Sequence, residues 1–192
     1  MNRIKTYIRI IEQYIKKDVH NPLSTMTNLT YILLGWLAIS TNVVMGLLLI
    51  CVGIASTGFH WTRKRCWHWF DIVMIYYMLA TVATWLLFGN WGIPLGVIIG
   101  GGLHYMFVWL DEHGSSRRSH ETIATLGIVC ITIYTLQNTL YDGGVVLMWF
   151  TFALATGGIA SYFQPDEDGK WYDVFHSAWH IFSGIGIYYL IV

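Results

Sequence analysis

Seven apolar blocks, each about long enough to carry a helix across a bilayer, constrain this chain more than any other feature of its sequence. They run approximately over 23–40, 42–62, 68–89, 91–110, 120–139, 143–163 and 171–192. A helix rises about 1.5 Å per residue, so roughly 20 apolar residues cover the ~30 Å hydrocarbon core. The pattern predicts an all-α, polytopic membrane protein with seven transmembrane helices in a single domain over 1–192. Composition agrees: 55% of residues are apolar and only 11% are charged, which is not the balance of a soluble domain. Many of the 10 Trp and 12 Tyr stand at block edges, where part-polar rings favour the headgroup level. No internal repeat, low-complexity run or second domain interrupts the series.

Ahead of the first block, Ile4, Tyr7, Ile8, Ile11, Tyr14 and Ile15 recur at helical spacing, with Arg3, Lys5, Arg9, Glu12, Lys16 and Lys17 on the rest of the wheel. Residues 1–18 therefore predict an amphipathic helix lying in the membrane interface. Basic residues interrupt its apolar ones, so no signal-peptide core forms. His20-Asn21-Pro22 breaks this helix and starts the next, and Thr41-Asn42 predicts a tight hairpin between the first two blocks. Pro94 falls in the first turn of the fourth block, where proline is tolerated. Gly96, Gly100-Gly101-Gly102, Gly157-Gly158, Gly184 and Gly186 are read as places where helices approach closely. Cys51, Cys66 and Cys130 show no paired spacing, so they predict ordinary small buried residues and neither a disulfide nor a thiolate metal cluster.

All 11 Lys and Arg fall on alternate connections. Arg3, Lys5, Arg9, Lys16 and Lys17 precede the first block. Arg63, Lys64 and Arg65 lie between the second and third, Arg117 and Arg118 between the fourth and fifth, and Lys170 between the sixth and seventh. The remaining connections and the carboxyl end carry none. This partition predicts a cytoplasmic amino terminus and Val192 on the opposite side.

Polar residues inside such blocks are the functional candidates, because burying an ionisable group without a partner is costly. His176 and His180 are four apart and project from one helix face, so they can share one metal ion. Ser56 and His60 have the same spacing at the end of the second block, and Asp71 opens the third. All of these block ends face the cytoplasm in the predicted topology. Five polar groups from three helices thus converge at one depth, near the cytoplasmic leaflet. Three imidazoles with an open fourth position for water form a catalytic zinc arrangement. His60, His176 and His180 are the expected ligands, Asp71 the proton acceptor, and Ser56 a hydrogen-bonding group for the water or for an oxygen gaining charge.

Each residue has a plainer reading as well. A lone intramembrane His serves helix–helix hydrogen bonding, Ser56 alone is a packing residue, and Asp71 could pair with the Arg63-Lys64-Arg65 run. His104 has no partner at helical spacing and is read as a structural hydrogen-bonding group. His68, beside Trp67 and Trp69, is read as interfacial, and His113, His120 and Asp166-Glu167-Asp168 as solvated loop residues.

Taken together, Gly53-Ile54-Ala55-Ser56-Thr57-Gly58-Phe59-His60, Asp71, and His176-Ser177-Ala178-Trp179-His180-Ile181-Phe182-Ser183-Gly184 resemble the signature of the alkaline ceramidase family. Met26-Thr27-Asn28-Leu29 resembles that family's Ser-Asn-Leu segment, and the likeness covers roughly residues 20 to 192. The family belongs to a wider group of seven-helix membrane hydrolases and receptors that includes the adiponectin and progestin receptors. The resemblance implies zinc on His60, His176 and His180, with Ser56 and Asp71 beside the bound water. It implies hydrolysis of the amide of a ceramide-like lipid, drawn from the bilayer, to a long-chain base and a fatty acid. The competing expectation is a receptor or sensor of the same architecture whose zinc is structural.

Two departures stand out. Animal ceramidases of this type carry an acidic calcium-binding segment before the first helix, where this chain has Asp18, His20 and Asn21. The cytoplasmic amino terminus is the receptor-like orientation. A channel or transporter is disfavoured by the lack of a polar row across the blocks, and nothing in the chain points to nucleic acid or to an obligate protein partner.

Overall fold

A computed structural model describes residues 22–112, 144–163 and 170–192. The amphipathic helix expected over 1–18, the fifth apolar block, His20, Asn21, His113, His120, Cys130 and Asp166-Glu167-Asp168 lie outside the described residues. Among the described residues all regular structure is helical. The elements are α1 (Pro22–Thr27), α2 (Leu29–Ala38), α3 (Val43–Thr62), α4 (Arg65–Phe88), a 3-10 turn (Gly89–Trp91), α5 (Gly92–Glu112), α6 (Gly144–Phe163) and α7 (Lys170–Ile191). The first apolar block is not one helix: it breaks at Asn28 into α1 and α2.

Val43–Thr62 and the stretch Arg65–Met106 are long and apolar enough to cross a membrane, which fits a membrane protein. The longer stretch is not a straight rod. Gly92 packs against Thr84, Gly96 against Thr81 and Gly100 against Tyr77. Residue numbers rise on α5 as they fall on α4, so the two helices form an antiparallel hairpin turned at Gly89, where φ is +59°.

The hairpin of α2 and α3 begins with a capped turn, in which Asn42 Oδ1 accepts from the Met45 N–H at 3.2 Å. Its tightest point is the crossing of Gly35 and Gly46. A Cβ built on Gly35 would stand 2.6 Å from the Gly46 carbonyl oxygen, and one on Gly46 would stand 2.7 Å from that of Gly35. Only two glycines allow backbones this close. In α6 and α7, Gly157 faces Trp179 and Gly186 faces Phe150, again antiparallel.

By contrast, α7 runs parallel to α1 and α2. Ser24 meets Ser177, and one to two turns later Tyr31 meets Ser183 and Gly184. These directions chain together: α5 and α6 run the same way through the bundle, so Glu112 and Gly144 lie at opposite ends of it.

Tyr31, Leu49, Val52, Met78, Phe150 and Ile187, from α2, α3, α4, α6 and α7, meet in one buried core. The outward faces are apolar as well, with Leu33 61%, Trp36 71% and Ile98 71% exposed. A surface of this kind is unfavourable in water and suits lipid.

One expectation needs correction. Cys66 is exposed and Cys51 only half-buried, because Cys66 sits in the first turn of α4, directly after the basic Arg63-Lys64-Arg65 link. Close packing holds at Gly96, Gly100, Gly157, Gly184 and Gly186, while Gly102 and Gly158 have no neighbour among the described residues on the side a Cβ would occupy.

Candidate metal centre

The end of α3 sets half of the site. Arg63 adopts the left-handed conformation, φ 53°, and its N–H bonds back to the Phe59 carbonyl, which stops the helix just beyond His60. The short Arg63-Lys64 link then sends α4 back along α3, with Trp67 packed on Gly58. This fold-back carries Asp71 along α4 to the level of Ser56. Both are buried, with Ser56 1% and Asp71 8% exposed.

The other half comes from α7, which is fastened to α1 and α2 by polar contacts. The Asp173 carboxylate accepts from the Leu23 N–H at 3.2 Å, the Ser24 N–H at 3.0 Å and the Ser24 hydroxyl at 2.6 Å. Those donors lie in the first turn of α1, where N–H groups have no partner within the helix and a carboxylate is favoured. One turn on, the Ser24 and Ser177 hydroxyls are 3.1 Å apart, and beyond them Tyr31 and Ser183 share a hydrogen bond of 2.6 Å. With α7 held in this register, His176 and His180 turn toward His60.

The three imidazoles pack edge to face. Ring centroids are 4.9 Å apart for His60 and His176, 5.4 Å for His60 and His180, and 4.6 Å for His176 and His180. One nitrogen from each ring can be chosen so that all three lie within 4.8 Å of one another. His60 Nε2 and His176 Nε2 are 3.2 Å apart. Two nitrogens bound at ~2.0–2.1 Å on one tetrahedral ion would stand about 3.3 Å apart. Three histidines from two helices, His60 and His180 buried and His176 half-buried, are thus arranged to hold a metal ion.

A small cavity of about 20 Å³, room for about one water, opens beside this cluster. Ser56, Asp71 and His180 line it together with the hydrogen-bonded pair Tyr31 and Ser183, and most of the remaining wall is apolar, Val52, Met78, Phe150 and Ile187 among it. Asp71 is not one of the three clustered ligands.

No family model, curated protein or solved structure matches the chain. The geometry therefore has to carry the reading.

Buried polar atoms test whether a metal fits. Among the described residues both ring nitrogens of His180 lack a hydrogen-bond partner, as do His60 Nδ1 and Asp71 Oδ1. A fully buried polar atom without a partner costs about 1–3 kcal/mol. A cation on His60, His176 and His180, with water between it and Ser56 and Asp71, would supply the missing partners. The donor set of three imidazoles suits a borderline-soft divalent ion, zinc among them. The residues present therefore fit the group that the sequence implied.

Outside the cluster, His68 packs its ring on Phe59, centroids 4.6 Å apart, and His104 lies on α5. Arg63 and Arg65 stack over Phe59 and Trp69, at 5.2 and 5.9 Å. Asp71 points instead into the cavity.

Sequence reasoning did not single out Asp173, Ser24, Tyr31 or Ser183 as the residues that set the register of α7. Asp173 did carry a signal, being a carboxylate in the first turn of an apolar helix, one turn before His176. Its partners lie about 150 positions away and were not readable.

Proposed function

We propose that this chain is a zinc-dependent intramembrane hydrolase that cleaves the amide of a ceramide-like lipid, releasing a long-chain base and a fatty acid. The observation that carries this reading is the shared site: three clustered imidazoles beside a mostly apolar cavity lined by Ser56, Asp71 and His180. Bound zinc would supply Lewis acidity toward a carbonyl oxygen and toward water. Asp71 takes a proton from the attacking water, and Ser56 donates a hydrogen bond to the oxygen on which charge develops. The apolar lining keeps bulk water from the reacting groups, and the acyl chain would lie in a groove between helices.

The fold supports a membrane setting for this chemistry. Apolar outer faces suit lipid, and Val43–Thr62 and Arg65–Met106 are long and apolar enough to cross a membrane. The proposed topology has seven crossings, one for each apolar block of the sequence. The Lys and Arg partition then puts the amino terminus and the metal site on the cytoplasmic side. A two-chain lipid would reach the site sideways from the bilayer, its amide at headgroup depth.

Metal analysis of protein purified in detergent tests the proposal. About one zinc per chain is expected in the intact protein and a loss of it in His180→Ala. Absence of zinc from both would overturn the reading.

A further inference from the structure

Asn28 is among the most deeply buried polar side chains described, with 0% exposure, and neither its Oδ1 nor its Nδ2 has a hydrogen-bond partner. It stands at the break between α1 and α2, at the N-cap position of α2. Capping is the usual reason for an Asn at such a position, yet its side chain makes no capping bond. The break itself is closed by main-chain bonds, Asn28 N–H to the Ser24 carbonyl and Tyr31 N–H to the Asn28 carbonyl, at 3.2 and 3.1 Å. Neither local role explains the residue.

The parallel register of α1 and α2 with α7 places it. Ser24, Asn28 and Tyr31 form one stripe along this segment. Ser24 is committed to Asp173 and Ser177, and Tyr31 to Ser183. Between Ser177 and Ser183 on α7, one turn after Ser177, comes His180, whose ring also meets that of Tyr31 edge-on at 5.9 Å. Asn28 therefore occupies the rung of His180. On its other side its carbonyl oxygen lies 3.0 Å from the position of a Cβ on Gly53, about two turns from His60 along α3, so His180 is the nearer imidazole.

A histidine that binds a metal through one ring nitrogen needs an acceptor for the N–H of the other, which fixes its tautomer and orientation. Both nitrogens of His180 are buried without a partner. We infer that Asn28 is the positioning residue for His180: its Oδ1 accepts from the outer ring N–H of His180, directly or through one water, when the metal site is filled. This inference rests on the metal-centre reading and assigns Asn28 no contact with the substrate.

Zinc affinity by chelator competition, together with thermal unfolding of the metal-free protein, tests it on the full chain in detergent. Asn28→Leu should weaken zinc binding about 10- to 100-fold, the usual effect of losing such a support. It should not lower the unfolding temperature of the metal-free protein, because there the amide is buried without partners. Asn28→Asp, which can still accept from the ring N–H, should hold zinc within a few-fold of the unaltered protein. Asn28→Ala, too small to clash, should repeat the affinity loss of Asn28→Leu and guards against a Leu that does not fit.

Unchanged zinc affinity in both Asn28→Leu and Asn28→Ala would overturn the Asn28 role and leave the metal centre standing. A lowered metal-free unfolding temperature with normal affinity would do the same and make Asn28 a packing residue. Unaltered protein that takes up no zinc would overturn the metal centre itself, and the role of Asn28 with it.

Discussion

His60 Nε2 and His176 Nε2 stand 3.2 Å apart although the residues are 116 positions apart in the chain. That separation suits two nitrogens on one ion, and His180 completes the set. Replacing any one imidazole by alanine removes one of three protein ligands. His60→Ala, His176→Ala and His180→Ala should each lose zinc and amide hydrolysis together, as read by metal analysis and lipid product assay on the same preparation. Full zinc occupancy in all three variants would show that the cluster is not the metal site.

Asp71 separates binding from chemistry. It lines the cavity with Ser56 and His180 but is not one of the three clustered ligands. Asp71→Asn should keep the zinc and lower turnover by ~10²- to 10⁴-fold, about 3 to 5 kcal/mol of barrier, the range of general-base assistance. Ser56→Ala should also retain zinc, with a smaller rate loss, since it removes one hydrogen bond and no proton acceptor. Release of zinc by Asp71→Asn would instead make Asp71 a ligand or a necessary support of one.

The Asp173 clamp gives a stability prediction. Its carboxylate accepts from two main-chain N–H groups and one hydroxyl of α1, tying the start of α7 to α1. Asp173→Ala leaves those donors without their partner and should cost about 1–3 kcal/mol. Thermal unfolding in detergent reads this directly. An unshifted midpoint would mean that solvent replaces the carboxylate at no cost.

Sterics at the far end of the α2–α3 hairpin give another. Gly46→Ala would put a methyl 2.7 Å from the Gly35 carbonyl oxygen, so the helices must separate. Overpacking of this kind costs typically 1–3 kcal/mol. The unfolding midpoint should fall while zinc content stays near one per chain, because Gly46 is about four turns from His60 along α3. An unchanged midpoint would contradict the closeness of the two backbones.

Much of this arrangement was legible because two of its signals are local. Block length marks helices in an apolar chain, and the described residues of the other six blocks are chiefly helical, the first in two pieces, α1 and α2. The i,i+4 spacing of His176 and His180 puts both on one face whatever surrounds them, and Asn42 between two apolar runs is both a turn residue and a cap. What escaped reading depends on which helices are neighbours. Nothing in the local pattern says that α7 runs parallel to α1 and α2, so Asp173 could not be assigned to the first turn of α1, nor Tyr31 to Ser183. The break at Asn28 was hidden because apolar residues continue on both sides of it.

Hydrolysis itself is the most direct test of the account. Zinc-loaded protein would be incubated with a panel of ceramides and N-acyl lipids, and the products quantified by lipid mass spectrometry. The account predicts fatty acid and long-chain base released in equal amounts, abolished by a chelator and restored by zinc. Protein that holds one zinc per chain yet cleaves no lipid amide in the panel would contradict it.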